Sequence, residues 1–234
     1  MRGYLQGRDE TTVIVRLDKA TADTRVKASD IRFFRFTHRA YEPQAVQQLF
    51  DQARYSDVIA GLEPVVTPYL DYAGISNNLE TAFCLLMKAY FEDGNYEKTG
   101  DLSARLMRNP NPDVQSQASV FQALAALGQG DVSAAESLLS GITSPAAKLY
   151  VQARIENAQK YPKNAIQTVV QLIAEYPNDK DWLPPAELLC AGLYYQMEMT
   201  NAALVTARQT AKLYQGTYIE QGAQALRAGI ENNR

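Results

Sequence analysis

The sequence predicts a mostly helical protein, in which a small N-terminal β-module precedes a solenoid of stacked helical hairpins. Three observations predict this architecture. Short stretches before residue 37 alternate apolar and polar residues, which is the period of a half-buried strand. From Pro43 onward the apolar residues recur with the period of helices. Within that part a turn followed by a helix restart recurs at a spacing of about 34 residues, which is typical of helical repeat arrays.

The β-module is predicted over residues 1–37, with residues 38–42 as a linker and the solenoid over residues 43–234. Four stretches rich in β-branched and aromatic residues are predicted to be strands, at 3–7, 13–17, 25–27 and 31–36. The segment resembles the small, strongly bent β-barrels of the SH3-like or Sm-like type. Pro43 suits the first turn of a helix, so the helical part is predicted to begin there.

The solenoid is predicted from four turn-and-restart segments, at 90–98, 127–135, 153–165 and 191–203. The second helix of each hairpin has a small residue at the equivalent position. These residues are Thr99, Ala135, Ala165 and Ala203. Small residues there let neighbouring helices approach closely. A less regular helix pair is predicted at 44–53 and 56–70. A final stripe at i, i+4 spacing predicts a capping helix and consists of Tyr218, Gly222, Leu226 and Ile230.

The turn Tyr90-Phe-Glu-Asp-Gly-Asn-Tyr-Glu-Lys98 resembles that of a tetratricopeptide repeat (TPR), and the resemblance covers roughly residues 44–232. The second half, with Tyr176-Pro177 and Gly192-Leu-Tyr-Tyr195, is similar to TPR scaffold proteins of the bacterial envelope. This similarity implies a periplasmic scaffold that binds other envelope proteins. The start of the chain lacks the apolar region of a signal peptide. Two locations therefore stay open, the periplasm if a leader has been removed and otherwise the cytoplasm.

Few residues are suited to catalysis or metal binding. The chain has one histidine, His38, and two cysteines, Cys84 and Cys190, whereas a zinc site needs three or four converging ligands. The cysteines fall three repeats apart, so no disulfide is expected. The carboxylates of Glu92-Asp93 and of residues 178–181 are interpreted as turn and helix-cap residues. Phosphate-binding loops are missing from the sequence. We therefore predict no catalytic residues, no metal and no cofactor.

Charge is distributed unevenly along the chain. Residues 1–40 carry nine Lys and Arg against five Asp and Glu, a net +4, and residues 41–234 carry fourteen against twenty-one, a net −7. The basic residues of the β-module alternate with four aromatics, Tyr4, Phe33, Phe34 and Phe36, which suggests nucleic-acid or ribonucleoprotein association as an alternative function. The acidic pI of about 5.3 disfavours it, and docking of the basic module on the acidic solenoid is the other interpretation of its charge.

The predicted function is non-catalytic binding of a peptide or helix of a partner protein. In this architecture the first helix of each hairpin lines the concave face. Inward positions counted from each turn give a candidate groove of Lys88, Phe91, Phe121, Tyr150, Arg154, Asn157, Tyr195 and Gln196. Aromatic and cationic anchors suit a segment that carries a carboxylate. No apolar run is long enough for a membrane span, and the oligomeric state stays open.

Overall fold

The computed structural model describes residues 2–9, 11–38 and 40–232, and it is mostly helical after a small N-terminal sheet. The three strands are β1 (Gly3–Arg8), β2 (Thr12–Leu17) and β3 (Thr24–Lys27). The helices that follow are α1 (Pro43–Asp51), α2 (Tyr55–Val66), α3 (Glu80–Glu92), α4 (Tyr96–Leu106), α5 (Pro112–Gly128), α6 (Val132–Leu138), α7 (Pro145–Ala158), α8 (Pro162–Glu175), α9 (Leu183–Gln196), α10 (Thr200–Leu213) and α11 (Tyr218–Asn232). A 3-10 segment, Thr67–Tyr72, continues directly from α2.

The sheet is antiparallel with the strand order β1-β2-β3, and β2 lies in its centre. Three of the four predicted strands are confirmed with shifts of one residue at their ends. Val13 on β2 is completely buried and pairs with Val26 on β3. The turn between β1 and β2 is held by Asp9, whose carboxylate accepts hydrogen bonds from the backbone N–H groups of Thr11 and Thr12.

The fourth predicted strand, at 31–36, is wrong. This stretch is extended but joins the sheet nowhere, and instead it forms one isolated bridge between Phe34 and Asn77. The Phe34 N–H donates to the carbonyl of Ser76 at 2.8 Å, and the Asn78 N–H donates to the carbonyl of Phe34. Apolar side chains occur on both sides of this extended segment. Phe34 and Phe36 pack on the helical part, whereas Phe33 is exposed.

Two rings of this extended segment carry that packing. Phe36 is 7% exposed and stacks on Tyr69 with the ring centroids 4.4 Å apart. Phe34 meets Tyr72 edge to face at 6.0 Å. Phe33 points the other way and is 52% exposed. The β-module is thus joined to the segment that follows α2 by aromatic contacts as well as by the chain.

Each turn predicted for the helical part is confirmed, and so is the start of α1 at Pro43. Local chemistry explains the boundaries. Gly94 and Gly130 have φ of +80° and +82°, the left-handed conformation that ends a helix. Asn95 and Asp131 then accept hydrogen bonds from backbone N–H groups in the first turn of α4 and α6. The small-residue positions of the second helices, namely Thr99, Ala135, Ala165 and Ala203, are all fully buried.

The odd-numbered helices from α1 to α11 form one layer, which we call the inner layer, and each of them contacts the next odd-numbered one. The even-numbered helices pack between their chain neighbours. The first and last inner helices also touch, because α1 contacts α11 and the rings of Phe50 and Tyr218 lie 5.0 Å apart. Among the described helices, none combines the length and the apolar character that crossing a membrane requires.

Candidate functional site

A row of aromatic side chains crosses the inner layer and consists of Phe91, Phe121, Trp182 and Tyr150, which we call the aromatic row. Phe91 and Phe121 meet edge to face at 5.5 Å between centroids. Trp182 lies 6.4 Å from Phe121 and 5.4 Å from Tyr150. The row therefore links α3, α5, α7 and the residue that precedes α9.

The aromatic row drifts along successive helices. Phe91 is near the end of α3, Phe121 and Tyr150 are within α5 and α7, and Trp182 stands before the first residue of α9. Neighbouring inner helices are thus staggered along their axes. Asp179 fixes the position of Trp182, because its carboxylate accepts the Trp182 backbone N–H at 2.8 Å.

Arg154 lies at the end of the row, one helical turn after Tyr150 on α7. Its Nη1 donates to the Tyr150 hydroxyl at 3.2 Å, and its guanidinium carbon lies 5.9 Å from the centre of the same ring. The guanidinium is therefore oriented by a buried ring whose own position is set by Trp182. A cation held in this way loses little further side-chain freedom when it binds an anion.

Glu92, the last residue of α3, lies within electrostatic range of Arg154. Burial raises the pKa of its carboxyl from an ordinary 4.5 to about 7, and Arg154 opposes that rise. The side chain is nevertheless exposed to solvent by surface area. Protein thus surrounds the carboxyl closely enough to desolvate it, although water still reaches the side chain. Neutral and charged forms of this carboxyl therefore coexist near pH 7.

Two tyrosines near the two ends of the inner layer, one on α2 and one on α11, complete the site. Burial first and Glu92 second raise the pKa of Tyr55, at the start of α2, and of Tyr218, at the start of α11. Phe50 joins them, since its ring lies 5.3 Å from Tyr55 and 5.0 Å from Tyr218. We call Tyr55, Glu92, Tyr150, Arg154 and Tyr218 the inner site. It exists because α11 returns to α1.

Four of the eight predicted groove residues are brought together here, namely Phe91, Phe121, Tyr150 and Arg154. Phe121 and Tyr150 are buried beneath the surface of the aromatic row, whereas Phe91 and Arg154 are half-buried. Lys88 and Asn157 are half-buried on α3 and α7. Tyr195 instead packs on a second apolar cluster of Ala203, Leu204 and Ile230, and Gln196 is exposed at the end of α9.

Several residues of the site lie outside the groove that the sequence predicts. The sequence pattern indicates only an acidic pair in a turn at Glu92 and a capping stripe at Tyr218. Trp182, the single tryptophan, is a usable signal because large aromatic side chains are enriched at binding sites. Tyr55 and Tyr218 carry no such signal, since only the contact between α1 and α11 brings them together.

The other candidate sites have structural roles or remain separate. Cys84 and Cys190 are free, buried thiols, and burial raises the pKa of Cys84 to about 11, which makes its thiolate scarce at neutral pH. The His38 ring lies 5.8 Å from that of Tyr41. No three His, Cys, Asp or Glu residues in the described parts of the chain are grouped to hold a metal ion.

In the β-module, packing occupies Phe34 and Phe36, and Tyr4 and Phe33 remain exposed.

The raised pKa of Glu92 predicts a pH dependence of stability. The folded protein holds the proton more tightly than the unfolded chain, so this contribution is complete below about pH 4.5 and is lost as pH rises through about 7. Replacing Glu92 with glutamine should remove the effect. We expect urea unfolding to show the variant gaining about 1 kcal/mol relative to wild type at pH 8 but not at pH 5; the gain is modest because water reaches the carboxylate.

Glu97→Gln is the matched control, because Glu97 is an exposed carboxylate on α4. It should leave the difference between pH 5 and pH 8 as in wild type. Equal pH dependence in both variants would contradict the role of Glu92.

Comparison with known proteins adds no family to this geometry: no protein-family model matches the chain, and neither does any curated protein sequence.

Proposed function

We propose that the chain is a non-catalytic scaffold of TPR-like helical hairpins, and that its inner layer binds a segment of a partner protein. Two features of the fold support the architecture. Each inner helix contacts the next, and the hairpins turn at the positions at which a TPR-like repeat would turn. We propose that this arrangement presents the aromatic row and the inner site on one continuous face.

The single observation that carries the proposal is the oriented cation at the end of the aromatic row. Phe91 and Trp182 are half-buried, so each offers part of a ring to a ligand. Arg154 follows them, held by the Tyr150 hydroxyl. Aromatic rings and arginine are the side chains that most often dominate binding energy at protein interfaces, particularly in partly desolvated positions.

The chemistry of the site selects an aromatic or aliphatic segment that ends in, or carries, a carboxylate. Arg154 can form charge-assisted hydrogen bonds with that group, and these are stronger than bonds between neutral partners. Glu92 in its neutral form can donate a hydrogen bond to the same carboxylate, and in its charged form it repels it. Binding should therefore be tighter at pH 6 than at pH 8.

A peptide selection on the whole chain tests this proposal. Peptides selected from a random library displayed on phage should contain an aromatic residue near a carboxylate. Their affinities, measured by fluorescence anisotropy, should fall at least about tenfold with Arg154→Met, which keeps the apolar stem and removes the charge. Arg208→Met is the matched control, because Arg208 is 61% exposed on α10, and it should bind as wild type does.

The proposal fails if the selected peptides bind Arg154→Met and wild type equally while circular dichroism shows both to be folded. It also fails if selection returns no peptide with a measurable affinity. A ligand that responds to charge changes in the β-module but not at Arg154 would favour the nucleic-acid alternative instead.

A further inference from the structure

A separate cavity of about 300 Å³ lies where the sheet meets the helical part. Its lining includes Arg8 from the end of β1, Asp71 from the 3-10 segment, and both Arg105 and Arg108 from the end of α4 and the turn after it. Three arginines from distant parts of the sequence thus line one cavity. None of these residues belongs to the inner site, so a ligand of this cavity is independent of the proposed function.

Two aspartates line the cavity beside the three arginines, and the carboxylates of both already have partners. The Asp71 carboxylate pairs with Arg105 at 2.8 Å, and its backbone carbonyl accepts a hydrogen bond from Arg8. The Asp9 carboxylate also lines the cavity, but it is engaged by the backbone N–H groups of its own turn, which lower its pKa. The cavity therefore has a net charge of +1, counted from three arginines and two aspartates.

Of the three arginines at the cavity, Arg108 is the one whose guanidinium makes no hydrogen bond and no ion pair with the described residues. Backbone proximity holds it at the cavity. A Cβ added at Gly74 would come within 3.0 Å of the Arg108 Cβ and within 3.3 Å of the Arg105 carbonyl oxygen. The glycine thus lets the end of α4 approach the 3-10 segment closely, at the cost of bringing like charges together.

We propose that this cavity binds the phosphate group of a small phosphate monoester. A dianionic phosphate offers three acceptor oxygens, and guanidinium groups bind them through pairs of parallel hydrogen bonds. The volume is at the lower end of the range for small-molecule sites, so it accommodates the phosphate and a small organic moiety. Because Arg8 lies on β1 and Arg108 follows α4, the bound anion would tie the sheet to the helices.

Thermal unfolding of the whole chain, with the ligand titrated at constant ionic strength, tests the proposal. The probes are glucose 6-phosphate as a monoester, inorganic phosphate, and sodium chloride as the screening control. A ligand bound only by the folded state raises the Tm in a saturable way. We expect saturation with glucose 6-phosphate and none with chloride. Saturation by inorganic phosphate at the same concentrations would identify the phosphate group itself as the ligand, whereas tighter binding of the monoester would show that the organic moiety contributes.

Arg108→Met should weaken the apparent affinity at least tenfold. Arg108 is exposed and unpartnered, so its replacement should leave the Tm of the free protein within a few degrees of wild type. Arg25→Met on β3 removes an equally exposed arginine of the β-module and should bind as wild type does. An equal Tm rise with chloride, or the same titration curve for Arg108→Met and wild type, would overturn the proposal.

Discussion

The Phe36→Ala variant is expected to lose about 3–5 kcal/mol of unfolding free energy, the usual cost of removing a buried phenylalanine. Phe36 is 7% exposed and contacts Tyr69, Tyr72 and Phe34 through its ring. Its removal therefore opens a cavity between the β-module and the helical part, within the cluster of Phe34, Phe36, Tyr69 and Tyr72 that we call the aromatic seam. The hydrogen bonds of Phe34 with Ser76 and Asn78 lie next to this ring, so losing its packing should weaken them as well. We therefore expect the sheet to detach before the helices unfold.

Urea unfolding measures the loss, and limited proteolysis between residues 31 and 42 reports the detachment. Phe33→Ala is a matched control within the same extended segment, because Phe33 is 52% exposed. It should change the stability by less than about 0.5 kcal/mol. A loss below about 1 kcal/mol for Phe36→Ala would show that the aromatic seam does not hold the module.

The Asn109→Ala variant is expected to lose about 2–3 kcal/mol, because it leaves buried backbone groups without hydrogen-bond partners. Asn109 is completely buried between α4 and α5. Its side-chain amide donates to the carbonyl of Ala73 at 2.8 Å, and its side-chain oxygen accepts the Asn111 N–H at 2.9 Å. One side chain thus joins the loop after the 3-10 segment to the start of α5.

Ser76 lies in the same loop, and its backbone carbonyl accepts a hydrogen bond from the Phe34 N–H. Asn109→Ala should therefore increase proteolysis of the extended segment as well as lower the urea midpoint. Asn178→Ala, at an exposed asparagine before α9, is the control and should match wild type in both measurements. A stable variant whose extended segment remains protected would contradict this role of Asn109.

The helical hairpins could be predicted because their boundaries depend on local chemistry. Gly94, Gly130 and the caps Asn95 and Asp131 act within one turn of the residues that they terminate or start. The segment at 31–36 could not be predicted in this way. Its hydrogen-bond partners lie around residue 77, in a loop whose backbone direction the sequence does not reveal. A strand-like composition shows that a segment is extended but not which residues it pairs with.

The site was predictable only in part, for a geometric reason. Counting a fixed distance from each turn gave residues on α3, α5 and α7 that the fold brings together. On α9 the same count gave Tyr195, which packs elsewhere, whereas Trp182, before the first turn, joins the row. The stagger between inner helices displaces the contact point along each successive helix, and a single sequence carries no measure of that stagger.

The contact between α1 and α11 also determines how the helical part can come apart. In a linear array of repeats, the terminal units have one neighbour each and fray first. Phe50 and Tyr218 give the first and last inner helices a second neighbour. An array whose first and last hairpins contact each other has no terminal unit. Releasing either of these two hairpins then breaks two interfaces, whereas in a linear array it would break only one. We therefore expect the contact between Phe50 and Tyr218 to reduce fraying of the end hairpins and to make unfolding more cooperative.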